Sequence, residues 1–537
     1  MISVGEVLRK SAAASPDEVA IKYFGAGITY KELDHLVDNF ATALQGMGIK
    51  KGDRVAIYLP NIPQFVIAYY AALRVGATVA ACSPLYKERE VGHILKDSEA
   101  KVIVAWDKLY PIVQAVKAET KLTDIVTTSV RDYLPPALRL LSPLKGVKSY
   151  QCPGAKDMKM LLDKTEGPPT IVQIDPKKDL ALLQYTGGTT GIPKGAMLTH
   201  YNLIVNAVQV GSWAYLKPGE ATLTAIPLFH IFGMTVAMNS PIYQRSTMIM
   251  IPDPREIHAV INAIEKYRPI LFPGVPTMYI ALINTPGIEK HNLHSIRLCV
   301  SGASALPVEV QKRFEALTGG RLVEGYGLTE TSPVTHTNPL DDPNKNRPGS
   351  IGLPYPDTEA KIVDLETGKR DLPPGEAGEL VIRGPQVMMG YWNKPEESQL
   401  ALRGGWFYTG DIASMDPDGY FRIVDRKKDM IDVSGFKVWP REVEETLFEH
   451  PAVQEAAVIG IKDERTGEAV KAFVVLKKGN EGKVTPDELS KFCKEKMAAF
   501  KAPRFVEFKA SLPKTAVGKV LRRELKKEQE KQLQIAS

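Results

Sequence analysis

A loop rich in glycine and hydroxyl groups, with a single lysine, follows an apolar run at residues 180–183. Its sequence is Tyr185-Thr-Gly-Gly-Thr-Thr-Gly-Ile-Pro-Lys194-Gly195. Glycines let backbone N–H groups approach anionic oxygens, threonine hydroxyls add donors, and the lysine supplies a mobile positive charge. The loop is therefore predicted to hold phosphates, although a flexible turn can have a similar composition. It is not a Walker P-loop, because Gly-Lys-Ser/Thr does not occur at the required spacing.

The same loop resembles the signature of the adenylate-forming superfamily, which includes acyl-CoA synthetases, the adenylation domains of peptide synthetases and luciferases. Most members have Ser where this chain has Gly187, and the doubled glycine is similar to the long-chain fatty acyl-CoA synthetase branch. Further matching segments run in the family's order from Thr29-Tyr30 to Lys519. The resemblance implies two steps. ATP converts a carboxylic acid into an acyl-adenylate with release of pyrophosphate, and coenzyme A then takes the acyl group and releases AMP.

The resemblance also implies a nucleotide site built by the loop and by two later segments, Ser301-Gly-Ala-Ser304 and Glu324-Gly-Tyr-Gly-Leu-Thr-Glu330-Thr331. Tyr326 would pack against adenine. Asp411 would accept hydrogen bonds from both ribose hydroxyls, and Arg426 would reach toward the ribose. The predicted ATP- and AMP-binding residues are Thr186, Gly187, Gly188, Thr189, Thr190, Gly191, Lys194, Gly302, Ala303, Ser304, Glu324, Gly325, Tyr326, Gly327, Thr329, Asp411, Arg426 and Lys519.

The resemblance predicts catalytic roles for four residues, Lys519, His230, Lys194 and Glu330. Lys519 matches the family lysine that reaches the substrate carboxylate and the α-phosphate and stabilises charge as the acid attacks. Glu330 and Thr186 are predicted to bind Mg²⁺, since a hard cation takes oxygen ligands. A helix-capping role is the alternative for Glu330.

An acyl pocket and a coenzyme A channel are implied in the same way. The pocket would be lined by His230, Phe232, Met234, Gly302 and Gly327, although aromatic residues and methionine equally suit an ordinary core. Rotation of the small domain about Lys428 would withdraw Lys519. The rotation would bring Val433, Ser434 and Gly435 beside the channel for the pantetheine arm.

The elements that must position these residues alternate between short apolar runs and helix-like stretches. Strands are predicted at 54–59, 101–105, 222–226, 270–272 and 298–300, and helices at 63–74 and 308–317. This alternation predicts a layered α/β architecture. Turn-rich sequence after Pro339 predicts a β-rich subdomain, and a small α+β unit is predicted beyond Arg426. The predicted domains are an AMP-binding domain, 1–425, and a mobile C-terminal lid that carries Lys519, 426–537.

The composition indicates a globular protein of several domains. The 537 residues are 44% hydrophobic and 24% charged, as in a multidomain globular chain. The net charge of +6 is spread thinly, so nucleic-acid binding is not expected. No apolar run is long enough to span a bilayer and the N-terminus does not resemble a secretory signal, so a cytoplasmic protein is expected. The four widely spaced cysteines indicate free thiols rather than a metal or disulfide framework.

Residues 133–148 combine leucines with Arg139, Lys145 and Lys148. This mixture predicts peripheral contact with the inner face of a membrane, which would help to deliver insoluble fatty acids. A buried surface excursion is the alternative, and a homodimer also stays open.

A medium- or long-chain fatty acid is the expected substrate, together with ATP and coenzyme A. One alternative keeps the chemistry but uses an aryl or short-chain acid, or a carrier protein as the acceptor. The other is a catalytically silent acyl-binding or transport protein on the same fold.

Overall fold

The computed structural model describes residues 2–145, 148–186, 193–340, 342–463, 465–515 and 518–536. Many of its strands lie in runs rich in Val and Ile, because branched side chains suit a pleated, buried surface. In chain order the strands are β1 Val19–Tyr23, β2 Ala26–Thr29, β3 Arg54–Tyr58, β4 Thr78–Ala81, β5 Val102–Trp106, β6 Asp124–Thr128, β7 Lys156–Asp157, β8 Leu180–Thr186, β9 Lys194–Thr199, β10 Ala221–Thr224, β11 Thr247–Met250, β12 Leu271–Gly274, β13 Leu298–Ser301, β14 Arg321–Gly327, β15 Val334–Thr337, β16 Leu353–Pro354, β17 Glu359–Val363, β18 Gly378–Arg383, β19 Leu402–Arg403, β20 Trp406–Met415, β21 Phe421–Arg426, β22 Ile431–Val433, β23 Phe436–Val438, β24 Val453–Asp463, β25 Gly467–Leu476 and β26 Phe505–Phe508.

Local signals set where several helices begin. Thr29 and Glu32 form a capping box at the start of one helix, and Thr199 and Asn202 form the equivalent pair at another. In chain order the helices are α1 Val4–Ala14, α2 Tyr30–Gly46, α3 Pro63–Arg74, α4 Glu88–Ser98, α5 Tyr110–Lys117, α6 Pro136–Leu141, α7 Met158–Lys164, α8 His200–Ala214, α9 Ile231–Met234, α10 Ser240–Gln244, α11 Ile257–Tyr267, α12 Pro276–Ile283, α13 Val308–Thr318, α14 Pro395–Ala401, α15 Pro440–Phe448, α16 Pro486–Lys496 and α17 Arg522–Ala536. A π-helical turn, Thr235–Asn239, joins α9 to α10.

Two mainly parallel sheets carry the active-site segments. One has the strand order β7-β6-β5-β3-β4-β8-β9, and the other has β16-β15-β14-β13-β12-β10-β11-β1-β2. Helix α3 is buried along its whole length, as expected for a helix that is apolar on nearly every side. The phosphate loop follows β8, Gly302 follows β13, and Tyr326 lies near the end of β14. The predicted site residues therefore lie at the carboxyl ends of strands, where ligands of α/β proteins usually bind.

Two smaller sheets complete the described fold. Strands β17 to β21 form an antiparallel sheet with β18 and β20 at its centre. Strands β22 to β26 form the other, which shares a core with residues of α15 and α16. We call residues 431–536, which contain this last sheet and α15 to α17, the C-terminal unit.

The predicted α/β class and the predicted strands and helices are confirmed, with ends shifted by a few residues. The β-rich region predicted after Pro339 is present as the sheet of β17 to β21, while the short strand β16 before it pairs with β15 at the edge of the nine-stranded sheet. Pairing of this kind depends on which edge is free in three dimensions. None of the described helices is both long and apolar enough to cross a membrane.

Candidate active site

The phosphate end of the site lies where β8 and β9 pair antiparallel, with Thr186 opposite Lys194. The ammonium nitrogen of Lys194 is 3.8 Å from a carboxylate oxygen of Glu397 and 5.4 Å from the centre of the Tyr391 ring. The predicted binding residues Gly187, Gly188, Thr189, Thr190 and Gly191 lie outside the described residues. The two strand ends nevertheless define where that loop starts and finishes.

Glu330 lies beside this strand pair in a short 3₁₀ turn, Thr329–Thr331. The Tyr391 hydroxyl donates a hydrogen bond of 2.8 Å to its Oε1, and burial raises the pKa of Glu330. The backbone of Gly327 approaches the Pro333 carbonyl so closely that a Cβ would stand 2.0 Å from the oxygen. Only glycine fits there, and this close approach leads the chain into the turn that carries Glu330.

The described residues contain no group of three or more His, Cys, Asp or Glu side chains that could bind a metal by themselves. The carboxylate of Glu330 and the hydroxyl of Thr186 instead fit a site in which the protein supplies only part of the metal's ligands. Magnesium commonly takes one or two protein oxygens and completes its shell with substrate phosphates and water. The donor set therefore suits an ion that arrives with a nucleotide.

The predicted ribose end is a chain of polar contacts around one buried carboxylate, that of Asp411. The Tyr326 hydroxyl donates a hydrogen bond of 2.6 Å to Asp411 Oδ2, and Arg426 Nε lies 3.5 Å from Oδ1. Asp411 stands opposite Arg426 in the register of β20 and β21, and its side chain is buried. The Tyr326 ring meets His336 edge to face behind it, with 6.0 Å between ring centres. The residues predicted to bind adenine and ribose are therefore neighbours in space.

At the acyl end, His230 caps the start of α9, and its Nδ1 accepts a hydrogen bond of 3.2 Å from the Phe232 N–H. This bond assigns the ring proton to Nε2. Burial, and then the positive charge of Lys519, lower the pKa of His230 to about 4, so the ring is neutral near pH 7. Phe232 and Met234 are buried, and a Cβ on Gly302 would come within 3.0 Å of the Phe232 ring.

Lys519 belongs to the C-terminal unit but reaches these residues. Its carbonyl accepts from Thr515 N–H at 2.8 Å, and its own N–H donates to Thr515 Oγ1 at 3.1 Å. Burial and the nearby charge of Arg426 lower the pKa of Lys519 to about 7, while Asp411 opposes that shift. Gly518 packs so tightly on α12 that a Cβ would stand 2.5 Å from Thr277 Oγ1. Lys519 therefore lies close enough to Arg426, Asp411 and His230 for their charges to interact.

The predicted hinge residue Lys428 and the predicted channel residues lie between β21 and β23. Lys428 is exposed in the turn Lys427–Asp429, where burial of part of its side chain and the charge of Arg426 lower its pKa. Val433, Ser434 and Gly435 lie at the β22–β23 hairpin. Ser434 and Gly435 both have positive φ, 54° and 85°, as a two-residue hairpin turn requires.

Sequence reasoning missed several residues of this region. Tyr391 stands between Glu330 and Lys194, and no spacing in the sequence connects these three. Arg441 pairs with Glu324, whose carboxylate also accepts from the Leu306 N–H, so the structure places that carboxylate on protein partners. A weak signal existed for Arg441, because a cation is unfavourable in the first turn of a helix. The predicted nucleotide contact of Glu324 stays a prediction.

Residues 8–392 match the model of the AMP-binding enzyme family, and residues 442–519 match that of the AMP-binding enzyme C-terminal domain. The chain belongs to the AMP-binding enzyme family. This AMP-binding enzyme is 47% identical over 534 residues to a long-chain-fatty-acid–CoA ligase of Bacillus subtilis, covering 97% of this chain and 94% of that protein.

Solved structures agree with this assignment. A crystal structure of an anthranilate CoA ligase with anthranoyl-AMP matches with a TM-score of 0.88 at 29% identity, covering 98% of this chain and 97% of that one. ATP-bound MatB from Rhodopseudomonas palustris matches with a TM-score of 0.87 at 28% identity, covering 98% and 99%. The resemblance stated from the sequence, the α/β fold and the use of ATP are confirmed.

Proposed function

We propose that this AMP-binding enzyme is an ATP-dependent long-chain fatty acid–CoA ligase. The observation that carries the proposal is the position of Lys519: Gly518 beside it packs against Thr277 of α12, and Lys519 lies close enough to Asp411, Arg426 and His230 for their charges to interact. The carboxylate of the acid and the α-phosphate of a nucleotide bound through its ribose would meet between these residues, and the cation of Lys519 would lie beside both. The similarity to the Bacillus subtilis ligase supports the choice of acid.

In the first step, a carboxylate oxygen attacks the α-phosphorus, the new oxygen–phosphorus bond forms, and the bond to pyrophosphate breaks. Lys519 would neutralise charge on the carboxylate and α-phosphate, and Lys194 would contribute positive charge to the phosphates. Asp411 would accept from the ribose hydroxyls, and Tyr326 and Arg426 hold its carboxylate in place. Thr186 and Glu330 would hold Mg²⁺, which supplies positive charge to the phosphates when bound.

In the second step, the thiol of coenzyme A attacks the acyl carbon, loses its proton, and displaces AMP. We assign this step to a second orientation, in which residues 426–537 rotate against residues 1–425 about Lys428. The hairpin at Val433, Ser434 and Gly435 would then line the channel for the pantetheine arm. One cavity would thus serve two reactions without a covalent enzyme intermediate.

The acyl end supports a hydrocarbon substrate. Phe232 and Met234 are apolar and buried, and Gly302 leaves room for the Phe232 ring where any larger residue would collide with it. Neutral His230 adds no charge there. A pocket of this composition favours an aliphatic chain over a charged or strongly polar acid.

The test is ATP–pyrophosphate exchange and CoA-thioester formation with acids from acetate to oleate and with 4-coumarate. Thioester formation that is greatest between laurate and oleate is expected. Exchange with only aryl or short-chain acids would keep the mechanism and reject the substrate. Exchange without transfer to coenzyme A would point to a different acceptor, and no exchange with any acid would favour a silent acyl-binding protein.

We also propose that residues 133–148 contact an anionic membrane surface. Leu140 and Leu144 are 80% and 85% exposed, one helical turn apart across α6 and the turn that follows it. Arg139 and Lys148 are exposed in the same segment, and no Asp or Glu occurs between Asp132 and Asp157. Exposed leucines with cations and without acids are typical of interfacial binding.

Sedimentation with vesicles measures this contact. Binding to vesicles containing phosphatidylglycerol should exceed binding to phosphatidylcholine vesicles and should fall when Leu140 and Leu144 are both changed to Asp. Ile171→Asp is the matched control, because Ile171 is 87% exposed but lies outside the segment. Equal loss of binding in the control, or none in the double variant, would reject this surface.

A further inference from the structure

A buried ion pair joins the C-terminal unit to the nine-stranded sheet. Arg441, in the first turn of α15, places one guanidinium nitrogen 3.4 Å from both carboxylate oxygens of Glu324 on β14. The two side chains are only 9% and 7% exposed. Among the described residues, this is the one ion pair that connects residues 431–536 to residues before the connecting segment 425–429.

The pair is linked to the position of Lys519 through the same helix. The Arg441 N–H donates to Asp425 Oδ2 at 2.8 Å, and Arg522 Nη1 lies 3.7 Å from Asp425 Oδ1. Arg522 begins α17, directly after the turn that presents Lys519, and it also pairs with Glu444 of α15 at 2.7 Å. Lys519, Arg522 and α15 therefore form one connected body. Glu324 belongs to the opposite body.

Stability alone does not account for an arginine at this position. A positive charge opposes the dipole at a helix N-terminus, and burying a charge pair removes both groups from water. The other carboxylate partner of Arg441, Glu445, lies on the same helix at 3.0 Å and moves with it. The contact with Glu324 is different, because Glu324 lies on β14 outside the unit and a rotation of the unit would break the contact.

We propose that Arg441 and Glu324 form an orientation-specific latch that favours adenylation by holding Lys519 at the site and that separates before transfer to coenzyme A. The inference rests on the two-step function proposed above. Both are positioning residues that act through Lys519. Without Arg441, the Glu324 carboxylate stays buried and unpaired in the adenylating orientation but regains water when the unit rotates. The population therefore shifts toward the rotated state.

The experiment measures the two half-reactions separately in Arg441→Met, Glu324→Gln and the double variant. ATP–pyrophosphate exchange with palmitate should fall about tenfold or more in Arg441→Met, since loss of one partner leaves a buried charge. Transfer from preformed palmitoyl-AMP to coenzyme A should be unchanged or faster. The double variant, which lacks both the latch and the unpaired buried charge, should lose less exchange than the two single variants added together. Glu445→Gln, the matched control, should keep the wild-type ratio of the two rates.

Three outcomes would overturn the latch. One is an equal loss of both half-reactions in Arg441→Met, which indicates damage to the fold. Another is additive loss in the double variant. The third is a rise in KM for ATP confined to Glu324→Gln, which indicates a direct nucleotide contact. Exchange by the wild-type enzyme is measured first. If it fails with every acid, the proposed function is rejected, whereas the three outcomes above reject only the latch.

Discussion

Two regions of the proposed site are built in different ways: the ribose corner, formed by Tyr326, Asp411 and Arg426, and the Lys519 turn, formed by the residues next to Lys519 in the C-terminal unit. At the ribose corner, Asp411 and Arg426 face each other in strand register, and Tyr326 completes a short hydrogen bond from a neighbouring sheet. Lys519 instead belongs to the C-terminal unit, where Gly518 beside it packs against Thr277, and we propose that the ion pair of Arg441 with Glu324 keeps that unit in place. One half is preassembled by the sheets, whereas the other depends on the orientation of a whole unit.

The largest effect should come from removing the group that defines the second half. Lys519→Ala should lower ATP–pyrophosphate exchange about 100- to 1,000-fold, as does loss of one preorganised charge-stabilising group in other enzymes. Transfer from preformed acyl-AMP to coenzyme A should stay within about threefold of wild type. Comparable loss in both half-reactions would mean that the two halves do not separate as described.

A smaller effect should follow from pushing the Lys519 turn away from α12. In Gly518→Ala, the new Cβ would meet Thr277 Oγ1 at 2.5 Å, on a backbone with φ of 75°. Exchange should fall about tenfold, because small misplacements of a catalytic group are costly. Gly479→Ala is the control, since Gly479 has a φ of 86° in the same unit but open space around its Cβ. If both variants lose exchange equally, backbone strain rather than the contact explains the loss.

The ribose corner is tested by Tyr326→Phe, which removes the 2.6 Å hydrogen bond to Asp411 but keeps the ring. We expect KM for ATP to rise about tenfold, because a hydrogen bond to a charged group contributes about 1.5 to 3 kcal/mol. The kcat for exchange should change much less. A fall in kcat with an unchanged KM would assign Tyr326 to the chemical step instead.

The smallest effect concerns pH. The pKa of Lys519 is lowered to about 7, so its cation is complete at lower pH and is lost as the pH rises through that value. The kcat/KM for ATP reports the free enzyme and should fall several-fold between about pH 6 and about pH 8. Lys519→Arg stays cationic and should not show that fall, even if it is slower overall. His230, with a pKa of about 4, cannot produce the same fall.

Much of the fold follows from local pattern. Helix α3 matches its predicted bounds because Pro63 suits a helix start and every following position is apolar or buried. The strands that end at Tyr58, Trp106 and Ser301 come from short apolar runs that are visible in the sequence. The edge pairing of β15 with β16 is not visible, because it depends on which strand edges are unpaired after folding.

The sequence by itself determined the chemistry. The composition of its loop is sufficient to mark Lys194 as a phosphate-binding candidate, whereas Glu330, Asp411 and Lys519 are marked by segments that resemble the family's motifs in the same order along the chain. The tertiary structure alone decided which side chains lie near one another. It placed Tyr391 between Glu330 and Lys194, and it paired Arg441 with Glu324 across the two bodies. Such contacts join positions far apart in sequence, and only the packing of the sheets brings their side chains within hydrogen-bonding distance.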